Sequence, residues 1–265
     1  MARQIRIAQI SDLHIKPSGT LAYGRVDTAK ALERCIAALN AFVPAPDFVV
    51  ISGDLADAPS VEEYDHLRLL LAPLKLPFAG IPGNHDSREM MRAVFPDAAY
   101  ALPSGPLNQA IEVGELDLLL LDSHVPGKPH GELDAPTLQW LDTTLASSSE
   151  RPALLFLHHP PFATGITFMD NYSLDDAAAF AEVVRRHPQI ERILCGHLHR
   201  AIDRRFAGTV AGSAPSTAHQ IRINLVPGAR ISFNFEPPGY QLHIWQDGSL
   251  VTHTALFGEW LEPLV

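Results

Sequence analysis

The sequence predicts an α/β fold in which two β layers are enclosed by helices. Three observations predict it. Short apolar runs of strand length alternate with helix-length amphipathic stretches over the first 200 residues, as in repeated βαβ units. Five of the apolar runs end directly in Asp, Asn or His, so their side chains can meet at one edge of a sheet. After Ala201 the pattern changes to short alternating β segments, which reads as a strand-rich second half packing on a βαβ first half.

The elements follow in order. Arg3 to Ile10 is an apolar strand, and Asp27 can cap a helix over about Thr28 to Phe42 whose stripe is Ala31, Leu32, Cys35, Ile36 and Leu39. Phe48 to Ile51 is a second strand. Ser60-Val-Glu-Glu63 reads as a capping box opening a helix that turns Tyr64, Leu67, Leu70 and Leu71 inward. Pro77 to Ile81 is a third strand, followed by a short helix from Ser87 to Val94. Leu107 to Val113 and Leu116 to Asp122 form a hairpin turned at Gly114-Glu115. Leu133 to Leu145 is helical, with Pro136 at an early position. Ala153 to Leu157 is a buried strand, and the Pro/Gly/Thr-rich, aromatic segment from Pro160 to Tyr172 is placed to wall a site. Ser173 or Asp175 opens a helix to about His187, and Glu191 to Leu194 is a strand. Asp247-Gly248 marks a late hairpin.

The 265 residues, 46% apolar, are expected to form one domain, 1–265. A formal charge of -10 without any Lys/Arg run argues against a surface for extended nucleic acid and favours a small substrate. Cys35 and Cys195 lie in apolar segments and are expected as buried thiols. No stretch approaches the roughly 18 apolar residues of a membrane span, and no apolar leader precedes the first strand. A cytoplasmic protein without a membrane partner is expected, taking Met1 as the natural start.

The chemistry resides in Asp12-Leu-His14, Gly53-Asp54, Gly83-Asn84-His85-Asp86, His158-His159 and Gly196-His197-Leu-His199. Asp12 and His14, two apart on an extended chain, can face one side and offer an oxygen and a nitrogen to one ion. Alone, that pair fits a surface turn as well as ligation. His197 and His199 repeat the geometry with two imidazoles. Asp54 can bridge two cations or merely cap a helix; Asn84 can offer a neutral oxygen, and His158 can complete a second sphere. Two divalent cations about 4 Å apart clamp phosphoryl oxygens and generate a shared hydroxide at neutral pH. With no GxxxxGK[ST] loop and no GxSxG elbow, hydrolysis fits better than transfer from a nucleotide.

These five ordered blocks, spanning about residues 8 to 199, resemble the signature of the calcineurin-like metallophosphoesterases. The resemblance implies a four-layer αββα sandwich, two mixed β-sheets flanked by helices. It also implies two divalent metal ions, of Mn, Fe, Zn or Co type. One ion would take Asp12, His14, Asp54 and His199, the other Asp54, Asn84, His158 and His197. His85 would contact the phosphoryl group with Asn84 and protonate the leaving oxygen, with Asp86 orienting it; a hydrogen bond from His85 to a ligand is the alternative. His159 is not counted as a ligand. The His158-His159-Pro160-Pro161 block and Pro237 to His243 look closest to the bacterial class III branch of cyclic-nucleotide and glycerophosphodiester phosphodiesterases. That likeness implies a small phosphodiester substrate, contact with it by His219, and a homo-oligomer; a solvated loop fits His219 equally. Its strand-rich portion, about 201–265, with Phe257, Trp260, Leu261 and Leu264, either packs on a partner subunit or closes its own core. His66, His124, His130, His187, His243 and His253 read as structural or exposed. A nuclease, a protein phosphatase and a broad-specificity phosphomonoesterase share the motifs, and a noncatalytic scaffold would keep the fold while losing ligands.

Overall fold

The computed structural model describes residues 4–98 and 100–258. Its first sheet has the order β13-β12-β1-β2-β3, from β1 (Ile5–Ile10), β2 (Phe48–Ile51), β3 (Phe78–Gly80), β12 (Gly239–Gln246) and β13 (Ser249–Leu256). The second has the order β4-β5-β6-β7-β9-β8, from β4 (Gln109–Val113), β5 (Leu116–Leu121), β6 (Ala153–Leu157), β7 (Ile190–Cys195), β8 (Ile202–Phe206) and β9 (Thr209–Ser213). A small ladder joins β10 (Gln220–Ile221) to β11 (Phe233–Asn234).

Strands β1, β2 and β3 are mutually parallel, as are β5, β6, β7 and β9. Parallel strands need crossovers, and helices supply most of them. Helices α1 (Thr28–Ala41), α2 (Val61–Leu71) and α3 (Arg88–Val94) cover the first sheet, where Leu32, Leu39, Tyr64, Leu67 and Met91 pack on Ala8, Ile10, Val49 and Ile51. Helices α4 (Ala135–Ser147), α5 (Thr167–Asp170) and α6 (Ala177–Arg186) belong to the second, where Leu141, Leu145, Phe180 and Val184 pack on Leu155, Leu157 and Ile193. Between the sheets Ile7, Val50, Ile81 and Trp245 of the first meet Leu118, Leu154, Phe156 and Leu194 of the second. The layers are therefore α, β, β, α. Each fully buried Leu or Ile contributes about 1.5–3 kcal/mol. The expected thiols are buried and free, and among the described residues no helix is long and apolar enough to cross a membrane.

Several local expectations change. Ser60 caps α2 by accepting from the Glu63 N–H at 3.3 Å, but the Glu63 carboxylate accepts from the Ala58 N–H at 2.5 Å, so the box is not reciprocal. Helix α6 begins after Asp176, whose left-handed backbone makes no side-chain cap, and α5 lies within the predicted 160–172 loop. The larger change concerns the C-terminal strands. They do not form a separate half: β12 pairs antiparallel with β1, Ile5 opposite Trp245, and so extends the first sheet. The β12–β13 turn falls at Asp247-Gly248, both with positive φ, as a tight two-residue hairpin requires. Phe257 is buried against Tyr240 and closes this chain's own core. Trp260, Leu261 and Leu264 lie outside the described residues.

Candidate metal centre

Parallel strands deliver their C-terminal ends to one edge, and the candidate residues follow those ends: Asp12 and His14 after β1, Asp54 after β2, Asn84 after β3, His158 after β6, His197 and His199 after β7. The backbone there is strained. Among the described residues nine that are not glycine have positive φ, and five of them are Asp12, His14, Asp54, His197 and His199, at 46° to 69°. Such conformations cost on the order of 1–3 kcal/mol each and persist where surrounding structure imposes them for a function.

The side chains converge. The Nε2 atoms of His14 and His199 are 3.1 Å apart, His199 Nε2 lies 3.4 Å from Asp12 Oδ1, and His14 Nε2 lies 3.6 Å from Asp54 Oδ2. The same Asp54 Oδ2 is 3.4 Å from His158 Nε2, while its Oδ1 accepts from the His85 N–H at 3.0 Å. One oxygen is thus anchored and the other is shared between two imidazoles. The rings of His158 and His197 are 5.1 Å apart.

A cation test is the state of the lone pairs. Asp12 Oδ2, Asn84 Oδ1, His158 Nε2 and His197 Nε2 are buried and have no hydrogen-bond partner among the described residues. Buried polar atoms are nearly always paired, so four convergent exceptions fit divalent ions as their missing partner. The second nitrogens are held instead: His158 Nδ1 donates to the Ser52 carbonyl at 2.8 Å and His199 Nδ1 to the His219 carbonyl at 2.9 Å, so that each ring turns its Nε2 toward the cluster.

The electrostatics agree. Burial pushes the Asp12 carboxyl up to about 6. Burial also acts to raise Asp54, but the neighbouring His158, His85 and His14 outweigh it and hold Asp54 well below the usual carboxylate range. Burial disfavours charge on His158, yet Asp54 and Asp12 raise it to about 9; His14 is raised likewise, against burial, by Asp57, Asp54 and Asp12. Burial and then a neighbouring imidazole lower His197 well below its usual range and His199 to about 3, so both are neutral donors. Protons on His14 and His158, and cations, are alternative ways of neutralising the same carboxylates.

Asp86 departs from expectation. Its carboxylate accepts from the Gly83, Leu55 and Ala56 N–H groups at 2.8 to 3.1 Å and from the Tyr64 hydroxyl at 2.8 Å, and so ties the β2 and β3 loops together instead of orienting His85. The His85 ring is set by its Nδ1, which donates to the Asp57 carbonyl at 2.7 Å. Asp57 carries a second duty, its Oδ1 lying 3.4 Å from His14 Nδ1. His159 lies beside the candidate ligands: donor atoms of His158, His159 and His197 lie within 4.8 Å of one another, and its Nδ1 is hydrogen-bonded to Ser123 Oγ at 2.8 Å. His219 is buried, not solvated. Burial and then His199 lower its imidazole to about 2.

A cavity of about 300 Å³ opens on this cluster. His14, Asp54, Asn84, His85, His197 and His199 form its polar end. Phe168, Met169 and Tyr172 line it as apolar wall, as the 160–172 loop was expected to, and Phe233 lines it as well. His219 instead lines a neighbouring cavity that shares Tyr23 and Phe233.

Glycine makes the convergence sterically feasible. Gly53 has φ +100°, and a Cβ on Gly83 would overlap the Asp54 carboxylate. Gly83→Ala is therefore expected to cost about 1–3 kcal/mol of stability, as overpacking does, and to weaken cation binding by displacing Asp54. Thermal unfolding and metal titration check both. Unchanged binding would show that Asp54 yields without consequence.

The family model for calcineurin-like phosphoesterase matches residues 5–201. A probable glycerophosphodiester phosphodiesterase of Arcobacter nitrofigilis is 36% identical over 259 residues, 97% of this chain and 95% of that protein. A 3',5'-cyclic adenosine monophosphate phosphodiesterase of Escherichia coli is 32% identical over 94% of this chain and 88% of that one. A dimetal phosphatase from Danio rerio shares the fold, with a TM-score of 0.68 at 14% identity, covering 95% of this chain and 96% of that chain.

Proposed function

Because the chain belongs to the calcineurin-like phosphoesterase family, we propose that it hydrolyses small phosphodiesters at a centre of two divalent cations. One observation carries the reading: Asp54 Oδ2 stands 3.4 and 3.6 Å from the Nε2 atoms of His158 and His14, the place of a carboxylate shared by two ions. Asp12, His14, Asp54 and His199 would hold one ion, and Asp54, Asn84, His158 and His197 the other. Mn, Fe, Zn and Co all suit this donor set. Such ions supply charge neutralisation at phosphoryl oxygens and make water acidic enough to attack at neutral pH.

The residues do the rest. A carbonyl only accepts, so Nδ1 of His85 carries a proton and Nε2 is the atom free to act. Protonated there, His85 donates to the departing alkoxide oxygen, which otherwise leaves as a strong base. The apolar walls of Phe168, Met169, Tyr172 and Phe233 take the organic groups of the diester and exclude water. Among the described residues none that lines the cavity is Lys or Arg, which supports a small substrate over a nucleic-acid backbone. A glycerophosphodiester or a cyclic nucleotide is the proposed diester, and the names of the relatives support it. A homo-oligomer and a cytoplasmic setting belong to the same reading; the buried thiols Cys35 and Cys195 support a reducing compartment.

The test is reconstitution of metal-free protein with Mn²⁺, Zn²⁺, Fe²⁺ or Co²⁺ and assay on bis(p-nitrophenyl) phosphate, cyclic AMP, a glycerophosphodiester and a phosphomonoester. The expected result is metal-dependent turnover of at least one diester, faster than of the monoester. No diester turnover with any metal would sink the proposal.

A further inference from the structure

Alternation along a strand sends every second side chain to one face. On β1 that rule aligns Ile5, Ile7 and Gln9 toward the second sheet; β2 continues it with Phe48, Val50 and then Ser52, and β12 with Gln241, His243 and Trp245. At the ligand-bearing edge the inter-sheet filling therefore changes from apolar to polar. Gln9 and His243 are both 0% exposed.

The hydrogen bonds of Gln9 are defined by what each partner can do. Its Nε2 donates to the Cys195 carbonyl at 2.9 Å and to Ser52 Oγ at 2.8 Å. A carbonyl only accepts, so the amide nitrogen must point that way and Oε1 must face His243. The His243 Nε2 then donates to Gln9 Oε1 at 3.2 Å, and its Nδ1 accepts from the Thr252 hydroxyl at 2.9 Å. Burial, then Arg192, lowers His243 to about 3, which keeps it in the neutral form this chain of bonds needs.

Each bond that Gln9 donates ends beside a candidate ligand. Cys195 immediately precedes Gly196-His197-Leu198-His199. Ser52 immediately precedes Gly53-Asp54, and its carbonyl accepts from His158 Nδ1 at 2.8 Å. Gln9 itself stands three residues before Asp12, whose neighbour Ser11 donates from Oγ to the Ser52 carbonyl at 3.3 Å. We propose that Gln9, itself oriented by His243, is a positioning residue that joins the two sheets where four of the five ligand blocks leave them, and so sets the spacing of the two cations.

The inference rests on the two-cation reading but needs no substrate, so cation affinity is the quantity to measure. Metal-free wild type, Gln9→Met and Gln241→Met are titrated with Mn²⁺, followed by calorimetry and by the paramagnetic resonance signal of the coupled ion pair. Gln241 is the matched control: it also joins the sheets, Nε2 donating to the Ser213 carbonyl at 3.1 Å, but reaches none of the five blocks. Both variants are expected to unfold at lower temperature. Only Gln9→Met should bind Mn²⁺ about ten- to a hundredfold more weakly, the range for residues that orient ligands, with an altered pair signal. Wild-type affinity and signal in Gln9→Met, or an equal loss in Gln241→Met, would overturn the proposal. If Gln9→Met does not fold, Ser52→Ala and His243→Leu decide: several-fold weaker Mn²⁺ binding supports it and unchanged binding overturns it. A wild-type chain that takes up no pair of ions would overturn the two-cation centre itself, and this inference with it.

Discussion

Asp54→Asn is expected to lower turnover of a small phosphodiester by at least about a thousandfold, the scale of losing several kcal/mol of transition-state charge stabilisation, and to lose at least one bound cation. The amide keeps an oxygen to accept from the His85 N–H, so the loop should hold its course. What disappears is the charge on the oxygen that stands between His14 and His158. Elemental analysis and kcat/KM measured on the same preparation check both consequences together. A variant with full metal content and wild-type turnover would mean that Asp54 is not the shared ligand.

His85→Gln is expected to separate chemistry from binding. It should retain both cations, because the ring is held by the Asp57 carbonyl and is not one of the proposed ligands. Turnover of a diester with an alkyl leaving group should fall by about 10²- to 10⁴-fold, the range for a positioned general acid. Turnover of bis(p-nitrophenyl) phosphate should fall much less, since p-nitrophenolate leaves without a proton. Equal losses on both substrates would contradict proton delivery and leave His85 as a phosphoryl contact only.

Much of this architecture was legible in the chain because parallel strands turn a one-dimensional pattern into a shared edge. An apolar run ending in Asp12, Asp54, Asn84, His158 or His197 states both where the strand stops and what it delivers, and the structure brings those residues together. The aromatic 160–172 segment was legible as a wall for a related reason: it follows His158 directly, so it had to pass the same edge. Where sequence reasoning failed, the information lay in other parts of the chain. The alternation in β12 fits any antiparallel partner, and nothing local says that the partner is β1, more than 230 residues earlier. The family resemblance implied Asp86 as an aid to His85, yet its partners are the main-chain N–H groups of residues 55, 56 and 83 and the Tyr64 hydroxyl. The orienting group for His85 is a carbonyl, which every residue type at position 57 would provide and which leaves no trace in composition. Gln9 and His243 were hidden by sitting at core positions of their strands, where a polar residue acquires meaning only from what it touches across the sheets.

The central claim is that this edge holds two cations bridged by one carboxylate. Metal content after reconstitution of the metal-free chain with Mn²⁺, read with the paramagnetic resonance spectrum of the same sample, tests it most directly. The expected result is two ions per chain with the spectrum of a spin-coupled pair, and loss of that coupling in Asp54→Asn. A single ion per chain, or two ions that show no coupling and persist in Asp54→Asn, would contradict it.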